Sequence, residues 1–351
     1  MEILKVLIGA VLLITSAHGR TPSRINFQKP EAYFSYNPEF KVTKFKRINR
    51  VRSRMFQKKP FKIIRYNTFD VELTSTYPKK GETPKQKFFY LKHDDEKVRP
   101  LVIVIPSIME VTPLEKLVAR GMLRKGFNVF IPKLNQSPVS LKRSTSEIFE
   151  ATQSILTGIR RTIDFAETIP TIDTSKIGTW GNSLGGILNS YLAGIEPRID
   201  ALYISVAGGN FTKILTESKS TIVAPYRVSR LFKEKIDLNG FKKALDKVVK
   251  VDPLDLAYKR SRGDIFMNIA VYDDVVPTKH QIELWKSFGS PNCRIYTQDH
   301  FYSVITANAF YSRDYFDFFR EKLLHEGELK KAPYGDCYFK KEIKNPEKFK
   351  K

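Results

Sequence analysis

Residues 181–186 read Gly-Asn-Ser-Leu-Gly-Gly, and this short stretch decides the fold of the chain. The apolar run before it, residues 177–180, predicts a buried strand, and residues 187–193 after it predict a helix. A serine on the sharp turn between a strand and a helix holds its hydroxyl clear of the backbone, where a substrate carbonyl can reach it. Glycines suit such a turn because neighbouring backbone packs too closely there for larger side chains. We therefore predict that Ser183 is a nucleophile at a strand-to-helix turn.

A serine hydroxyl needs a base, and histidine is the usual one. The chain has five histidines, which are His18, His93, His280, His300 and His325. His300 follows a strand-like run, residues 294–297, and precedes the last predicted helix, so it is the preferred base. His280, in the first turn of another predicted helix, is the alternative, and a solvated loop histidine is the interpretation of His300 that needs no catalysis.

A carboxylate should orient the histidine and stabilise its cation. Residues 265–272 predict a core strand that runs into Asp-Asp-Val-Val-Pro at 273–277. The carboxyl end of such a strand faces the crevice where doubly wound sheets bind ligands. Asp273 is the first choice for the acid and Asp274 the alternative, while an acidic turn without a catalytic role also fits the pattern.

Three motifs together resemble the α/β-hydrolase superfamily. They are Gly-Asn-Ser-Leu-Gly-Gly at 181–186, Asp-Asp-Val-Val-Pro at 273–277 and Asp-His-Phe-Tyr-Ser at 299–303, in the order nucleophile, acid, histidine. The resemblance covers roughly residues 98–325. It implies an α/β fold, with a mostly parallel central sheet and helices on both faces. It also implies a triad of Ser183, Asp273 and His300. Asp273 is preferred to Asp274 because the acid of the family stands four residues before the proline, which is Pro277 here.

The resemblance further implies an oxyanion hole made of two backbone N–H groups. The first belongs to Leu184, the residue after the nucleophile. The second should come from the loop after the predicted strand at 101–105, which reads Pro-Ser-Ile-Met at 106–109. Proline has no N–H, and Ile108 is our choice. Thr112 and Glu115 form a capping pair at the start of the next predicted helix.

These expectations describe a serine hydrolase that cleaves a carboxylic ester through an acyl-enzyme, as an esterase or a lipase. The substrate would be a small-molecule or lipid ester, and no cofactor is expected. The spacing of cysteines and histidines predicts no metal site. Two alternatives stay open: an acyltransferase that uses the same serine, and a non-catalytic member of the fold that binds the cell envelope.

The chain divides into four predicted parts around this core. Residues 1–19 resemble a secretory signal, with an apolar run too short to span a bilayer comfortably, so we expect an exported protein that is periplasmic or secreted. An uncleaved anchor or a first buried strand is the alternative. Residues 20–97 form a basic extension, with an extended arm over 20–60 and a β-hairpin over 66–76 and 87–91.

The core, residues 98–325, is predicted to carry a helical cap insertion at 215–262, and residues 326–351 form a basic tail. The only two cysteines, Cys293 and Cys337, would pair in an exported chain and tie this tail to the last core strand; two free thiols are the alternative.

The net charge of +23 and the pI of about 9.8 point to an anionic partner. Much of the positive charge lies in residues 20–97, and basic and aromatic side chains mix over residues 41–62. If the chain is exported, an anionic membrane or another cell-envelope surface is the expected partner, rather than nucleic acid. A generally basic, solvated surface is the plainer explanation.

Overall fold

A computed structural model describes residues 29–54, 63–79, 84–107, 110–134 and 137–326 of the chain. Within these residues nine strands form one sheet in the spatial order β1-β2-β3-β5-β4-β6-β7-β8-β9. The strands are β1 (Phe40–Arg54), β2 (Ile63–Ser75), β3 (Lys85–His93), β4 (Arg99–Ile105), β5 (Asn128–Lys133), β6 (Ile172–Asn182), β7 (Ala201–Ser205), β8 (Ile265–Ala270) and β9 (Asn292–Tyr296). The strands from β5 across to β9 run parallel, and β1, β2 and β3 add an antiparallel edge. The predicted mostly parallel sheet and the predicted hairpin, here β2 and β3, are confirmed.

Helices cover both faces of this sheet. They are α1 (Pro113–Arg124), α2 (Ile148–Ala166), α3 (Leu184–Ile195), α4 (Phe211–Glu217), α5 (Val223–Lys233), α6 (Leu238–Val248), α7 (Pro253–Leu256), α8 (Thr278–Ser287), α9 (His300–Ala309) and α10 (Ser312–Phe319). Helices α2, α3 and α8 pack in the core on one face, and α1 and α10 pack in the core on the other. Residues 101–105 of β4 are fully buried and alternate between the two cores, as a continuous apolar run in a parallel strand predicts.

Strand β1 (Phe40–Arg54) corrects the prediction of an extended arm with short helical turns over residues 20–60. It pairs along its whole length with β2 and forms one edge of the sheet. The sequence hides it because its apolar residues Val42, Phe45, Ile48 and Val51 stand three apart rather than two. Two irregularities in register, between residues 42 and 44 and between 47 and 49, each add one residue to β1. Such bulges change the side-chain alternation of a strand, so the usual period of two is lost.

The helical part of residues 215–262 lies against loops at the carboxyl end of the sheet. Backbone and side chain of Thr145, which follows β5, donate hydrogen bonds of 2.9 and 3.0 Å to the carboxylate of Glu234, which follows α5. Ser218, which follows α4, donates from its hydroxyl to the carbonyl of Val275 at 2.6 Å, in the loop after β8. The insertion therefore contacts the segment after β5 and the loop after β8. Both follow the carboxyl ends of their strands, and Ser183 lies at this same end of the sheet.

Several predicted features fall on residues outside the described ranges. These are the signal segment at 1–19, part of the basic stretch at 41–62, and the tail from residue 327. Cys293, on β9, is disulfide-bonded, while Cys337 lies outside the described residues. Among the described residues, no helix combines the length and apolar character that a membrane span requires.

Candidate active site

Ser183 occupies a strained turn between β6 and α3. Its φ of 51° and ψ of −120° are unusual for a residue other than glycine. A Cβ atom on Gly181 would lie 2.4 Å from the carbonyl oxygen of Gly185, and one on Gly185 would lie 2.5 Å from that of Ile105. The predicted reason for glycine at both positions, close approach of backbone, is therefore observed, and the turn presents Ser183 at the carboxyl end of the sheet.

The ring of His300 meets the hydroxyl of Ser183. His300 is the first residue of α9, its exposed fraction is 4%, and its Nε2 lies 2.9 Å from Ser183 Oγ. The side chain of Asp299 caps the same helix by accepting a hydrogen bond from the N–H of Tyr302 at 2.9 Å. This cap fixes the direction in which the helix leaves the loop, and with it the place of the imidazole.

Asp273 lies on the other side of the imidazole. Its Oδ2 is 2.7 Å from His300 Nδ1, and its exposed fraction is 5%. Its Oδ1 accepts hydrogen bonds from the N–H groups of Val275 at 2.9 Å and Val276 at 2.8 Å. An ionised carboxylate can only accept, so Nδ1 of the neutral imidazole carries the proton and Nε2 is left to accept the proton of the Ser183 hydroxyl. The structure thus joins Ser183, His300 and Asp273 in one hydrogen-bonded chain.

The alternatives to Asp273 and His300 lie elsewhere. The side chain of Asp274 is 56% exposed and points to Lys219, 3.5 Å away. The ring of His280 is fully buried, but its Nδ1 lies 3.1 Å from Glu283 and its Nε2 lies 2.8 Å from Glu217. Both ring nitrogens are therefore taken by carboxylates, which leaves His280 to join α8 to the end of α4 rather than to act on Ser183.

Only one of the two predicted oxyanion donors, Leu184, lies in the described residues, and both roles stay predictions. Leu184 is the first residue of α3, where backbone N–H groups have no partner within the helix. Ile108 lies outside the described residues, so its role stays a prediction. The neighbouring N–H of Ser107 is already engaged, since it donates to Glu115 Oε1 at 3.1 Å.

Glu115 holds the loop after β4 in place, a function that the capping pair alone did not reveal. The cap itself is confirmed, because the Glu115 carboxylate accepts hydrogen bonds from the N–H and the hydroxyl of Thr112. Its other oxygen accepts from the N–H and, at 2.9 Å, from the hydroxyl of Ser107. The fully buried side chain therefore links Ser107, just after β4, to Thr112, just before α1.

No metal centre is formed by the residues that the structure describes, since they contain no group of three or more His, Cys, Asp or Glu side chains able to hold an ion. The structure brings together a serine hydroxyl, an imidazole and a carboxylate, the three group types that acyl transfer by a serine nucleophile requires.

Comparison with known families and solved structures finds proteins that are similar to this chain. The family model described as the dienelactone hydrolase family matches residues 89–226. No curated protein matches the sequence. Among solved structures, acetyl xylan esterase 1 from Thermoanaerobacterium sp. JW/SL YS485 is similar over 84% of this chain and 93% of that one, with a TM-score of 0.60 and 16% identity.

Two further structures show the same fold. An acetyl xylan esterase from Paenibacillus sp. R4 is similar over 88% of this chain and 99% of that one, with a TM-score of 0.56 and 13% identity. An acylaminoacyl peptidase from Pyrococcus horikoshii is similar over 83% of this chain but only 57% of that one, with a TM-score of 0.50 and 14% identity.

Proposed function

We propose that this chain is a member of the α/β-hydrolase superfamily and a serine hydrolase, which cleaves a carboxylic ester through an acyl-enzyme on Ser183. The observation that carries the proposal is the continuous hydrogen-bonded chain from Ser183 Oγ through His300 to Asp273, with steps of 2.9 and 2.7 Å. Ser183 follows the carboxyl end of β6, Asp273 follows that of β8, and His300 follows that of β9 in the same sheet. This is the geometry of a base next to a nucleophile, with a carboxylate that stabilises the charge on the base.

In the first half-reaction, His300 Nε2 takes the proton of Ser183 as its oxygen attacks the ester carbonyl. Asp273 stabilises the imidazolium that forms and keeps the proton on Nδ1. The N–H of Leu184 donates to the oxyanion, and each such donor contributes roughly 3–4 kcal/mol to the transition state. The imidazolium then gives its proton to the leaving alcohol. In the second half-reaction the same histidine activates a water, which releases the acid and regenerates Ser183.

The surroundings of His300 favour an ester with an apolar or aromatic part. Phe301 and Tyr302, the next two residues of α9, have exposed fractions of 65% and 64%, and the ring of Phe301 stands edge-on to the imidazole at 5.7 Å. Exposed aromatic rings beside a reactive group can contact an apolar acyl or alcohol group of the substrate. The two acetyl xylan esterases named above support an ester as the substrate, since they are covered over 93% and 99% of their length and the acylaminoacyl peptidase over only 57%. An extended apolar rim would make the enzyme a lipase as well as an esterase.

A panel of p-nitrophenyl esters with graded acyl chains, run on wild type and Ser183→Ala, tests this function. We expect turnover by the wild type, a fall of at least about 1,000-fold in Ser183→Ala, and labelling of Ser183 alone by a fluorophosphonate probe. Turnover that survives the substitution, or a wild type that neither labels nor hydrolyses, would refute the proposal. Adding an alcohol as a competing acyl acceptor distinguishes a hydrolase from an acyltransferase, because an acyltransferase would form the new ester in preference to the free acid.

We further propose that the protein is exported and associates with an anionic membrane surface through the basic residues of β1. Lys41, Lys46 and Arg47 are exposed on this edge strand, and the side chains of Phe45 and Ile48 beside them have exposed fractions of 48% and 50%. Each basic side chain near an anionic membrane contributes about 1 kcal/mol, so three together contribute about 3 kcal/mol, or roughly a 100-fold change in affinity.

Co-sedimentation with phosphatidylglycerol and phosphatidylcholine vesicles tests the membrane proposal. We expect binding to the anionic vesicles at low salt, loss of binding near 1 M salt where the Debye length falls to about 3 Å, and loss in a Lys41→Gln/Lys46→Gln/Arg47→Gln variant. The control is a variant with the same charge change on α6, Lys242→Gln/Lys243→Gln/Lys247→Gln. Binding that does not depend on lipid charge, or equal weakening by both variants, would show that β1 is only part of a generally basic, solvated surface.

Export is tested separately by mass spectrometry of the mature N-terminus. Cleavage of a secretory signal leaves a new first residue, which we expect directly after Gly19. A mature chain that still begins at Met1 would contradict a cleaved signal.

A further inference from the structure

Gln281, in the second turn of α8, is fully buried and makes three hydrogen bonds beside the candidate active site. Its Oε1 accepts from the backbone N–H of Ala270 at 3.0 Å, at the end of β8. Its Nε2 donates to the carbonyl of Val276 at 2.7 Å and to Asp273 Oδ2 at 2.8 Å. A backbone N–H can only donate, so Oε1 must face Ala270, and both hydrogens of the amide are then directed at Val276 and Asp273.

The Gln281 amide completes the hydrogen bonding of the Asp273 carboxylate. Two backbone N–H groups hold Oδ1, and Gln281 and His300 share Oδ2. With Oδ1 fixed by two donors, the remaining freedom of the carboxylate is rotation that would swing Oδ2 away from the imidazole, and the Gln281 donor opposes that rotation. The amide is itself held at both ends, so it is a rigid support.

We propose that Gln281 is a positioning residue of the hydrolase, which holds Asp273 Oδ2 in line with the Nδ1–H of His300. This inference rests on the proposed function, since a carboxylate needs such support only if it orients a working base. Gln281 touches neither the substrate nor the reacting atoms, so it acts on turnover through Asp273.

Thr278 provides a matched control on the same helix. Its hydroxyl oxygen lies 2.8 Å from the carbonyl oxygens of both Ala270 and Val271, which share its one hydrogen, and this contact fastens the start of α8 to the end of β8. The structure shows no hydrogen bond between Thr278 and Asp273. A Thr278→Val variant therefore loosens the same helix without changing the direct support of the carboxylate.

Steady-state kinetics of Gln281→Met, Thr278→Val, Asp273→Asn and the double variant Gln281→Met/Asp273→Asn test the proposal on the full chain. Methionine has the length of glutamine but no polar group, so it fills the space with little overpacking. We expect Gln281→Met to lower kcat about 10- to 30-fold with KM within about twofold, and Thr278→Val to lower kcat less than about threefold. In the Asp273→Asn background, where the carboxylate is gone, Gln281→Met should cost less than about threefold more.

Three outcomes overturn the proposal: equal losses in Gln281→Met and Thr278→Val, a loss expressed only in KM, or the full loss repeated in the Asp273→Asn background. A failure of Ser183→Ala to reduce turnover would instead refute the proposed function itself. If Gln281→Met does not fold, Gln281→Glu replaces it, because the new side chain keeps the acceptor for the Ala270 N–H.

The Gln281→Glu variant is measured over a pH series up to pH 9, because burial beside Asp273 raises the pKa of its new carboxyl group. Once ionised, the new side chain places a second carboxylate against Asp273, and like charges at this distance repel. We expect its fluorophosphonate labelling of Ser183 to be at least about 10-fold slower than that of the wild type. Labelling within about threefold of wild type would show that Gln281 only joins β8 to α8, and would overturn the proposal.

Discussion

Replacing Asp273 with asparagine should inactivate the enzyme almost completely, while the same replacement at Asp274 should leave turnover nearly unchanged. Both substitutions remove one negative charge and hardly change side-chain size, so the pair separates a defined contact from a general effect of charge. The two aspartates are adjacent in the chain, yet Asp273 is 5% exposed and bonded to His300, whereas the side chain of Asp274 is 56% exposed.

The magnitude follows from where the new amide group must point. The N–H groups of Val275 and Val276 would keep the amide oxygen at the Oδ1 position, so its NH₂ group would take the Oδ2 position. That NH₂ would face two donors, Nε2 of Gln281 and Nδ1–H of His300. The imidazole relieves this clash by moving its proton to Nε2, and it can then no longer accept the proton of the serine. Such a change of tautomer lowers kcat about 10,000-fold, which corresponds to roughly 5.4 kcal/mol in the barrier.

The assay is kcat for a p-nitrophenyl ester in wild type, Asp273→Asn and Asp274→Asn, with thermal unfolding of each variant recorded alongside. Asp273→Asn should also lose about 1–3 kcal/mol of stability, because a buried donor is left facing another donor. Asp274→Asn should keep kcat within about twofold, since its exposed ion pair with Lys219 contributes less than about 1 kcal/mol. Equal losses of kcat in the two folded variants, or a greater loss in Asp274→Asn, would refute the assignment of the acid.

Gly185→Ala should abolish fluorophosphonate labelling of Ser183 and destabilise the fold, because the new Cβ would lie 2.5 Å from a backbone oxygen. The control is Gly263→Ala, where the nearest atom to the new Cβ would be 3.6 Å away, and it should change neither labelling nor Tm. Glu115→Gln should lower kcat about 10-fold and the free energy of unfolding by about 1–3 kcal/mol. One carboxylate oxygen that accepts from the N–H and O–H groups of Ser107 or Thr112 becomes an amide donor in this variant. Unchanged kinetics would argue against a role in turnover for the segment after β4. A hydrogen bond from Arg99 lowers the pKa of Asp95 from 3.8 to about 2, so this contact stabilises the fold above about pH 4 and its contribution is lost as the pH falls from about 4 towards 2. Arg99→Gln should therefore raise the pH at the midpoint of acid unfolding, followed by circular dichroism. The shift should reflect at most about 1 kcal/mol, because the pair is partly exposed to solvent. An unchanged midpoint would contradict this prediction.

The fold was predictable because its deciding signals are local. The strand, the glycine-flanked turn around Ser183 and the helix after it are consecutive in the sequence, and each has the composition that its backbone requires. Strand β4 likewise shows its burial on both faces as an unbroken apolar run. Strand β1 carries no such signal, because its two bulges change the spacing of its apolar residues and because residues 41–50 are all exposed. Only pairing with β2, which the sequence of β1 does not encode by itself, shows that it is a strand.

The supporting residues of the site were missed for a related reason. Gln281 belongs to no motif, and its partners are the end of β8 and a carboxylate eight residues before it, which α8 brings into range by folding back on the strand. Glu115 showed its local role as a helix cap, but its second role depends on Ser107, which the fold of the β4 loop places against it. A residue whose partners are set by the path of the backbone leaves no pattern in the sequence around it.

His280 and His300 show how far this limit extends, since both stand near the start of a helix that follows a parallel strand. The sequence favours His300 through its place after the last predicted strand and before the last predicted helix, but it leaves His280 open as an alternative. What separates them is the set of carboxylates that the fold delivers to each ring. His280 lies between Glu217 and Glu283, so both of its nitrogens are occupied by acids. His300 meets one acid on one side and a hydroxyl on the other, and this unequal pair of neighbours is what allows an imidazole to move a proton in one direction.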